Sequence, residues 1–406
     1  MSDRPLLYAA ACVRSAANGM IGVLMGVYLA ERGFGAARSG AIIGAGLLGG
    51  AVAALLVTVS GDRLGRRRSL IVLALLSAAG GAAFAWAPGP WTAAAAAFAG
   101  MVNGMGRDRG ASLILDQAIL PATVPPERRT ATFAWYNLLQ DLGGAFGGLL
   151  AGLPALLRAV APEGGAGSAV GSLRLSVLAY AALLLLPALL YPRLSAAVET
   201  APAAGDDRRV SPATRRILWR IGGLFAFDSL AGGFLTTALV SYFFYERFAV
   251  GEGTLGALFF GARLLNAASH LAAAWLARRI GLVNTMVFTH TPSSLLLVTV
   301  AYAPSFEVAA ILFLLREGLV EMDVPTRQSY VMAMVRPAER TLASGVTHLV
   351  RVGAWAVAPT FAGMFMQSVS LHTPLLIGAA MKIVYDALLF TAFRRMRPPE
   401  EGGEMR

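Results

Sequence analysis

Apolar runs of about 20 residues recur along the chain, divided by short polar segments. Twelve such runs lie near 6–30, 36–60, 69–88, 91–119, 130–157, 171–191, 216–244, 253–277, 281–303, 306–334, 341–368 and 373–393. A helix of roughly 20 apolar residues crosses the hydrocarbon core of a bilayer. The pattern therefore predicts an all-α membrane protein of twelve transmembrane helices. Glycine is frequent inside the runs. In a bilayer small residues let neighbouring helices approach closely, so this frequency suits a packed helical bundle.

The polar segments orient the bundle. One set of loops carries Arg63, Arg66, Arg67 and Arg68; Arg128 and Arg129; Arg208, Arg209, Arg215 and Arg216; Arg278 and Arg279; Arg336 and Arg340; and Arg394, Arg395 and Arg397. The opposite set holds little beyond Arg32, Arg38, Arg158, Arg174 and Arg247. Basic loops stay cytoplasmic, so both termini are expected on the cytoplasmic side of an inner membrane. Met1–Pro5 leads straight into Leu6–Ala30, a run too long for the core of a cleavable signal. The polar stretch 192–215 divides the chain. It reads as a cytoplasmic linker between a six-helix bundle at 1–191 and a second at 216–406 that ends in a short cytoplasmic tail.

Composition agrees. The chain is 56% hydrophobic and 14% charged, against about 25% charged residues in soluble domains. The formal net charge of +11 sits in short loops between apolar runs, not on one face, and so does not point to nucleic acid. Lys382 is the only lysine, and the single Cys12 has no internal disulfide partner.

The two halves repeat at an offset a little above 200 residues. Glu31-Arg32 matches Glu246-Arg247, and Asp62-Arg63-Leu64-Gly65 falls against Arg278-Arg279-Ile280-Gly281. Arg129-Thr130 matches Arg340-Thr341, and the same register sets Asn137 against His348, Gln140 against Arg351, Gly148 against Pro359 and Ala151-Gly152 against Ala362-Gly363. Weak identity in a kept register is the mark of duplicated transporter halves with a solute site between them.

Gly61-Asp62-Arg63-Leu64-Gly65-Arg66-Arg67-Arg68, between spans two and three, resembles the signature loop of the major facilitator superfamily. The twelve spans, the linker and the repeat extend the resemblance over the whole chain. It implies two pseudo-symmetric six-helix bundles, and a conformational latch at Asp62, Arg63, Gly65 and Arg66. The first Gly of the motif is Thr58 here, and in the second half Arg278 replaces its Asp. The motifs of drug–proton antiporters are damaged. The span-four Arg is replaced by Gly100, and span five reads Gly147-Gly148-Leu149-Leu150-Ala151-Gly152 without the Pro that span eleven keeps as Pro359. Phe225–Ser229 together with Met322–Tyr330 is similar to a bacterial branch of generic permeases, which assigns no substrate.

Ionisable residues at membrane depth face a cavity or a partner. Arg14 and Asn18 share one face of span one, and Asp228 lies near the repeat-equivalent position of span seven; all three are candidate solute contacts, Arg14 and Asp228 as a conceivable pair. Arg263, Asn266 and His270 share a face of span eight. Span ten carries Arg316, Glu317 and Glu321, suited either to proton carriage or to a structural ion pair between Arg316 and Glu317. Asp141 of span five, with His348 and Arg351 of span eleven, forms a further polar set. Asp116, Gln117, Asp323 and Arg327 lie toward the cytoplasmic loops and read as gate contacts. Lys382 and Asp386, one turn apart, are expected to pair with each other.

No His-Glu-x-x-His, Gly-x-Ser-x-Gly, Cys-x-x-Cys or P-loop is present, so neither an enzyme nor an ATP-driven pump is expected, and no metal or cofactor is called for. The function read here is secondary active transport of a small solute by alternating access, with proton-coupled efflux or exchange as the mode. A uniporter of a polar or anionic metabolite is the alternative, as is a transport-dead receptor or scramblase on the same scaffold. The expected partners are the solute, the lipid bilayer and protons, with the chain a monomer.

Overall fold

The computed structural model describes residues 3–125, 128–161, 167–199, 212–322 and 340–393, and every regular element among them is helical. The α-helices are α1 (Asp3–Glu31), α2 (Ala36–Leu64), α3 (Arg66–Trp86), α4 (Pro90–Ala99), α5 (Ala111–Ile119), α6 (Arg129–Leu150), α7 (Leu153–Val160) and α8 (Ala169–Leu190). They continue with α9 (Pro212–Gly233), α10 (Thr237–Phe248), α11 (Glu252–Ile280), α12 (Leu282–Ala301), α13 (Phe306–Val320), α14 (Arg340–Ser368) and α15 (Thr373–Phe393). Among the described residues, eight helical stretches are long and apolar enough to cross a membrane. Leu48, Leu55, Leu56 and Val59 of α2 lie exposed along its length, an apolar surface that suits acyl chains rather than water.

Three runs that look continuous in sequence are broken; the run at 130–157 divides at 151–152 between α6 and α7, and the other two breaks are longer. The run at 91–119 folds as α4 and α5 with an irregular segment at 100–110, where Met101 has φ 51° and Gly106 φ 69°. Asn103 holds this break open. Its side chain accepts from the Met105 backbone N–H at 2.9 Å and donates to the Arg107 carbonyl, replacing helical partners with local ones. The run at 216–244 breaks at 234–236 into α9 and α10. Thr236 starts α10 as its N-cap, the hydroxyl accepting from Leu239 N–H at 3.3 Å. These two longer breaks dock on one another. Ala238 N–H donates to the Gly104 carbonyl at 3.0 Å, and Thr237 Oγ1 to the Met105 carbonyl at 2.8 Å. One break thus supplies acceptors for the orphan donors of the other.

The chain divides into two compact units. Unit 1 holds residues 1–205 with 236–260 and 359–371; unit 2 holds 206–235, 261–358 and 372–406. In unit 1, α1 is buried almost throughout, packed against α6, α8 and α10. The C-terminal part of α14 meets α2 at backbone distance. A Cβ on Gly40 would land on the Pro359 carbonyl, and one on Gly363 on the Ala36 carbonyl. In unit 2, α12 packs against α13 and α15, and α15 against α9, around Phe225, Met286, Tyr385 and Leu389.

Candidate functional site

Unit 1 is organised around Arg14, which is 4% exposed at the centre of α1. Its Nε donates to Asp108 at 2.9 Å and its Nη2 to Asp116 at 2.6 Å, while Nη1 donates to the Tyr191 hydroxyl. Tyr136 adds a donor to the same Asp116 oxygen at 2.8 Å. Gln140 approaches Asp108 at 3.5 Å and the Tyr136 hydroxyl at 3.3 Å. The break in span four positions this cluster, because it lets Asp108 leave the helix axis and turn toward α1. A buried guanidinium is tolerated only when its donors are met by anions or hydroxyls, and all three kinds of guanidinium nitrogen have a partner here. One arginine facing two carboxylates leaves an excess of one acidic group, and the second Asp116 oxygen, Oδ1, is buried without a hydrogen bond.

Arg14 and Asp116, read from sequence as a solute contact and a gate residue, are therefore one cluster. Asn18, one turn along, is buried. Gln117 is exposed, and Asp141 is half-buried. Asp323 and Arg327 lie outside the described residues.

The basic loop is clasped from an unforeseen direction. Gly65, at φ 89°, ends α2 and starts α3. The first N–H groups of α3, those of Arg66 and Arg67, donate to the Glu199 carboxylate at 2.7 and 3.1 Å. An anion at a helix N-terminus answers both orphan donors and dipole. A Cβ at residue 65 would sit 3.2 Å from Glu199 Oε1, so glycine serves the close approach as well as the positive φ. Arg67 donates to the Leu194 carbonyl at 3.0 Å and Arg66 to the Ala118 carbonyl at 3.3 Å. Ser195, next to this segment, holds Asp3 through its N–H at 2.7 Å and its hydroxyl at 2.6 Å. Asp62 falls in the last turn of α2, its side chain outside the described set; Arg63 is exposed.

At the other end of unit 1, Arg158 of α7 pairs with Glu252 of α11 at 2.8 Å, and Tyr245 of α10 donates to Glu31 of α1.

Unit 2 carries two buried polar clusters. In the first, Asn266 of α11 donates to Glu317 of α13 at 3.0 Å, and Arg316 pairs with the same carboxylate. The structural ion pair foreseen for Arg316 and Glu317 is thus formed, with Asn266 joined to it. Glu321 caps the end of α13. Arg263 and His270 are half-buried on α11, and His348 on α14. Arg351 donates to Ser229 at 3.2 Å and lies 4.8 Å from the Trp355 ring centroid.

The second cluster corrects an expectation. Lys382 pairs with Asp228 of α9 at 3.1 Å, not with Asp386 on its own helix. Asp386 instead binds His290 of α12 at 2.8 Å and accepts from Thr291 at 2.9 Å. Helix-neighbour spacing permits the local pair, but burial favours partners that tie separate helices together and satisfy more of each carboxylate. His290 was not singled out from sequence, where it is one polar residue in an apolar run. The run of Thr289, His290, Thr291, Ser293 and Ser294 was the available signal. Each of the two charges once considered a pair, Arg14 and Asp228, is engaged within its own unit.

Against known proteins, the profile of the Major Facilitator Superfamily matches residues 7–320. The chain belongs to this superfamily. It is 23% identical over 422 residues to the uncharacterized membrane protein YJR124C of Saccharomyces cerevisiae, covering 96% of this chain and 94% of that one. Its fold is similar to that of a bacterial homolog of the human lysosomal transporter Spinster in an inward-facing and occupied conformation (TM-score 0.75, 14% identity, 96% of each chain). It is also similar to a D-xylose-proton symporter (TM-score 0.71, 15% identity, 100% of this chain and 99% of that one). The protein is a multi-pass membrane transporter and not an enzyme.

Proposed function

We propose that the chain moves a small solute across the cytoplasmic membrane by alternating access, as a proton-coupled efflux or exchange carrier with both termini cytoplasmic. One observation carries the reading. Three helical runs of the second half change unit along their length, each at a point where a helix bends easily. The run of α9 and α10 changes at the break 234–236, α11 at Gly261, and α14 at Pro359. Proline removes a helical hydrogen bond and a break removes several. The outer segments of these helices can thus travel with α1, α2 and α6 while the inner segments belong to the other unit. Hinged outer segments are what alternating access needs.

The division into bundles at 1–191 and 216–406 around the linker 192–215 is part of this proposal. Asn18 and Asp141 of the first half, with Arg263, His270, His348 and Arg351 of the second, are the proposed solute contacts. The Arg14 cluster and the Glu199 clasp set the conformational balance. The proton-symporter fold relative supports coupling.

The test is flux. Purified protein is screened for thermal stabilisation by a metabolite and drug panel, and each stabilising compound is then followed in proteoliposomes with and without a pH gradient. Accumulation or exchange that responds to the gradient is expected. Binding without flux of any stabilising compound would establish the receptor reading instead, and flux indifferent to the gradient would establish a uniporter.

A further inference from the structure

In unit 2 the set of Asn266, Arg316 and Glu317 is paired in charge but unfinished in hydrogen bonds. Asn266 of α11 is 4% exposed, and Arg316 and Glu317 of α13 are 8% exposed each. Asn266 Nδ2 donates to Glu317 Oε2 at 3.0 Å, and Arg316 Nη1 donates to Oε1 of the same carboxylate. Both oxygens of Glu317 are thereby engaged. Two other atoms of the set are buried without a hydrogen bond: Asn266 Oδ1, an acceptor, and Arg316 Nε, a donor. The side chains that carry them are held in place. The Phe313 ring, one turn before Arg316, lies 5.8 Å from the guanidinium, and the backbone of Asn266 accepts from Ser269 Oγ at 2.8 Å.

The two vacancies follow from the chemistry of the groups. An amide oxygen and nitrogen are told apart by their partners. A carboxylate paired with a guanidinium only accepts, so the Asn266 NH2 must face Glu317 and Oδ1 must turn elsewhere. Arg316 Nε can only donate. Buried polar atoms are nearly always hydrogen-bonded, and each one left empty is costly. The group that would complete this set must donate to Asn266 and accept from Arg316. A carboxylate on a solute cannot donate, and it would meet Glu317 beside the same guanidinium. An ammonium cannot accept, and it would meet Arg316. A neutral hydroxyl does both. Two neighbouring hydroxyls can also share the task, because both vacant atoms belong to side chains bound to one carboxylate.

We infer that Asn266 and Arg316 form a binding subsite for a neutral polyhydroxylated solute, a hydroxyl of which donates to Asn266 Oδ1 and accepts at Arg316 Nε. Glu317 is a positioning residue, which turns the amide and fixes the guanidinium. Arg263 stands one turn before Asn266 and Glu321 one turn after Glu317, one charge of each sign on either side of the set. Gly261, where α11 changes unit, shortly precedes Asn266. A subsite closed over by protein needs such a hinge to load. As the solute class of the carrier, this rests on the transport reading above; the subsite itself does not.

The experiment uses the full chain in lipid nanodiscs. Thermal stabilisation is measured with glucose, myo-inositol and uridine, and with gluconate, glucose 6-phosphate and choline as charged counterparts. Stabilisation by a neutral member and by none of the charged ones is expected. The Kd of the best stabiliser and of its monodeoxy analogues is then measured by calorimetry. In wild type one deoxy analogue should bind about tenfold more weakly or worse, because it leaves the vacant atoms unmet. In Asn266→Leu the parent and that analogue should bind alike. Arg316→Lys keeps a charge opposite Glu317 but has no Nε–H, and should weaken the parent by about tenfold. If Asn266→Leu misfolds, as judged by gel filtration, Asn266→Ser is read in its place; the wild-type analogue series needs no variant. Stabilisation by charged solutes alone, or by no member of the panel, overturns the solute class. An equal deoxy penalty in wild type and in the Asn266 variant overturns the subsite and leaves its vacancies to water. A polyol that binds through Asn266 but does not cross proteoliposomes overturns the transport reading and leaves the subsite standing. A polyol that crosses equally well in wild type and in both variants does the reverse.

Discussion

The carboxylate of Glu199 closes on the backbone N–H of Arg66 at 2.7 Å, so that the segment after α8 caps the first turn of α3. Removing the anion as Glu199→Ala leaves two N–H groups and a helix dipole unanswered. The loss expected is about 1 kcal/mol. It is read as a lower melting temperature in detergent, with Glu199→Gln intermediate because an amide oxygen still accepts. Equal melting of all three proteins would show that the clasp carries no weight.

Arg14 balances Asp108 and Asp116 in a site sealed from water. Arg14→Ala strands two carboxylates and is expected to cost about 3–5 kcal/mol. The double variant Arg14→Leu/Asp116→Leu removes charge of both signs and should recover part of that loss. Chemical denaturation of the two proteins beside wild type gives the coupling. A double variant no more stable than Arg14→Ala would mean that lost packing, not stranded charge, is the cause.

Gly40 and Gly363 bring α2 and the C-terminal part of α14 into backbone contact. Gly363→Val has nowhere to put its side chain except against the Ala36 carbonyl, so the two helices must part, at an expected cost of about 1–3 kcal/mol. A cysteine placed at Ala36, in a Cys12→Ala background, should then react several-fold faster with a membrane-impermeant maleimide. Unchanged reactivity in a folded protein would show that the two helices do not part.

The Arg158–Glu252 pair joins α7 to the start of α11, but the Arg158 side chain is 29% exposed. Solvent screening therefore limits its worth to about 0.2–1 kcal/mol. Either charge reversal alone, Arg158→Glu or Glu252→Arg, is expected to broaden the spin-label distance distribution between α7 and α11. The swapped double variant should restore the narrow distribution. Failure of the swap to restore it would assign the effect to something other than the ion pair.

The helices themselves were legible because one physical demand dominates their composition: a segment in hydrocarbon must be apolar for about 20 residues and must satisfy its backbone internally. The same demand hid the interruptions of spans four and seven. Phe234-Leu235-Thr236 continues the apolar run, and 100–110, although it carries Asn103, Arg107, Asp108, Arg109 and four glycines, is enclosed on both sides by apolar residues. The breaks are stabilised by Asn103, by Thr236 and by each other's backbone, which no periodicity reports. Glu199 was invisible for another reason. It sits in the stretch read as linker, 133 residues from the N–H it caps.

Arg14, Asp116, Asp228, Lys382 and Asp386 stood out in the chain itself, since a charge at membrane depth is costly and so must have a use. Hydrophobic pattern, basic loops and the internal repeat likewise sufficed for the helical membrane architecture and for the superfamily resemblance. Partner choice did not follow from them. Arg14 takes Asp108 and Asp116, Lys382 takes Asp228 over its helix neighbour Asp386, and His290 joins two charges it could not be connected with in sequence. Burial and the burden of satisfying every donor and acceptor make those choices. They act between helices brought together only when the bundle has packed.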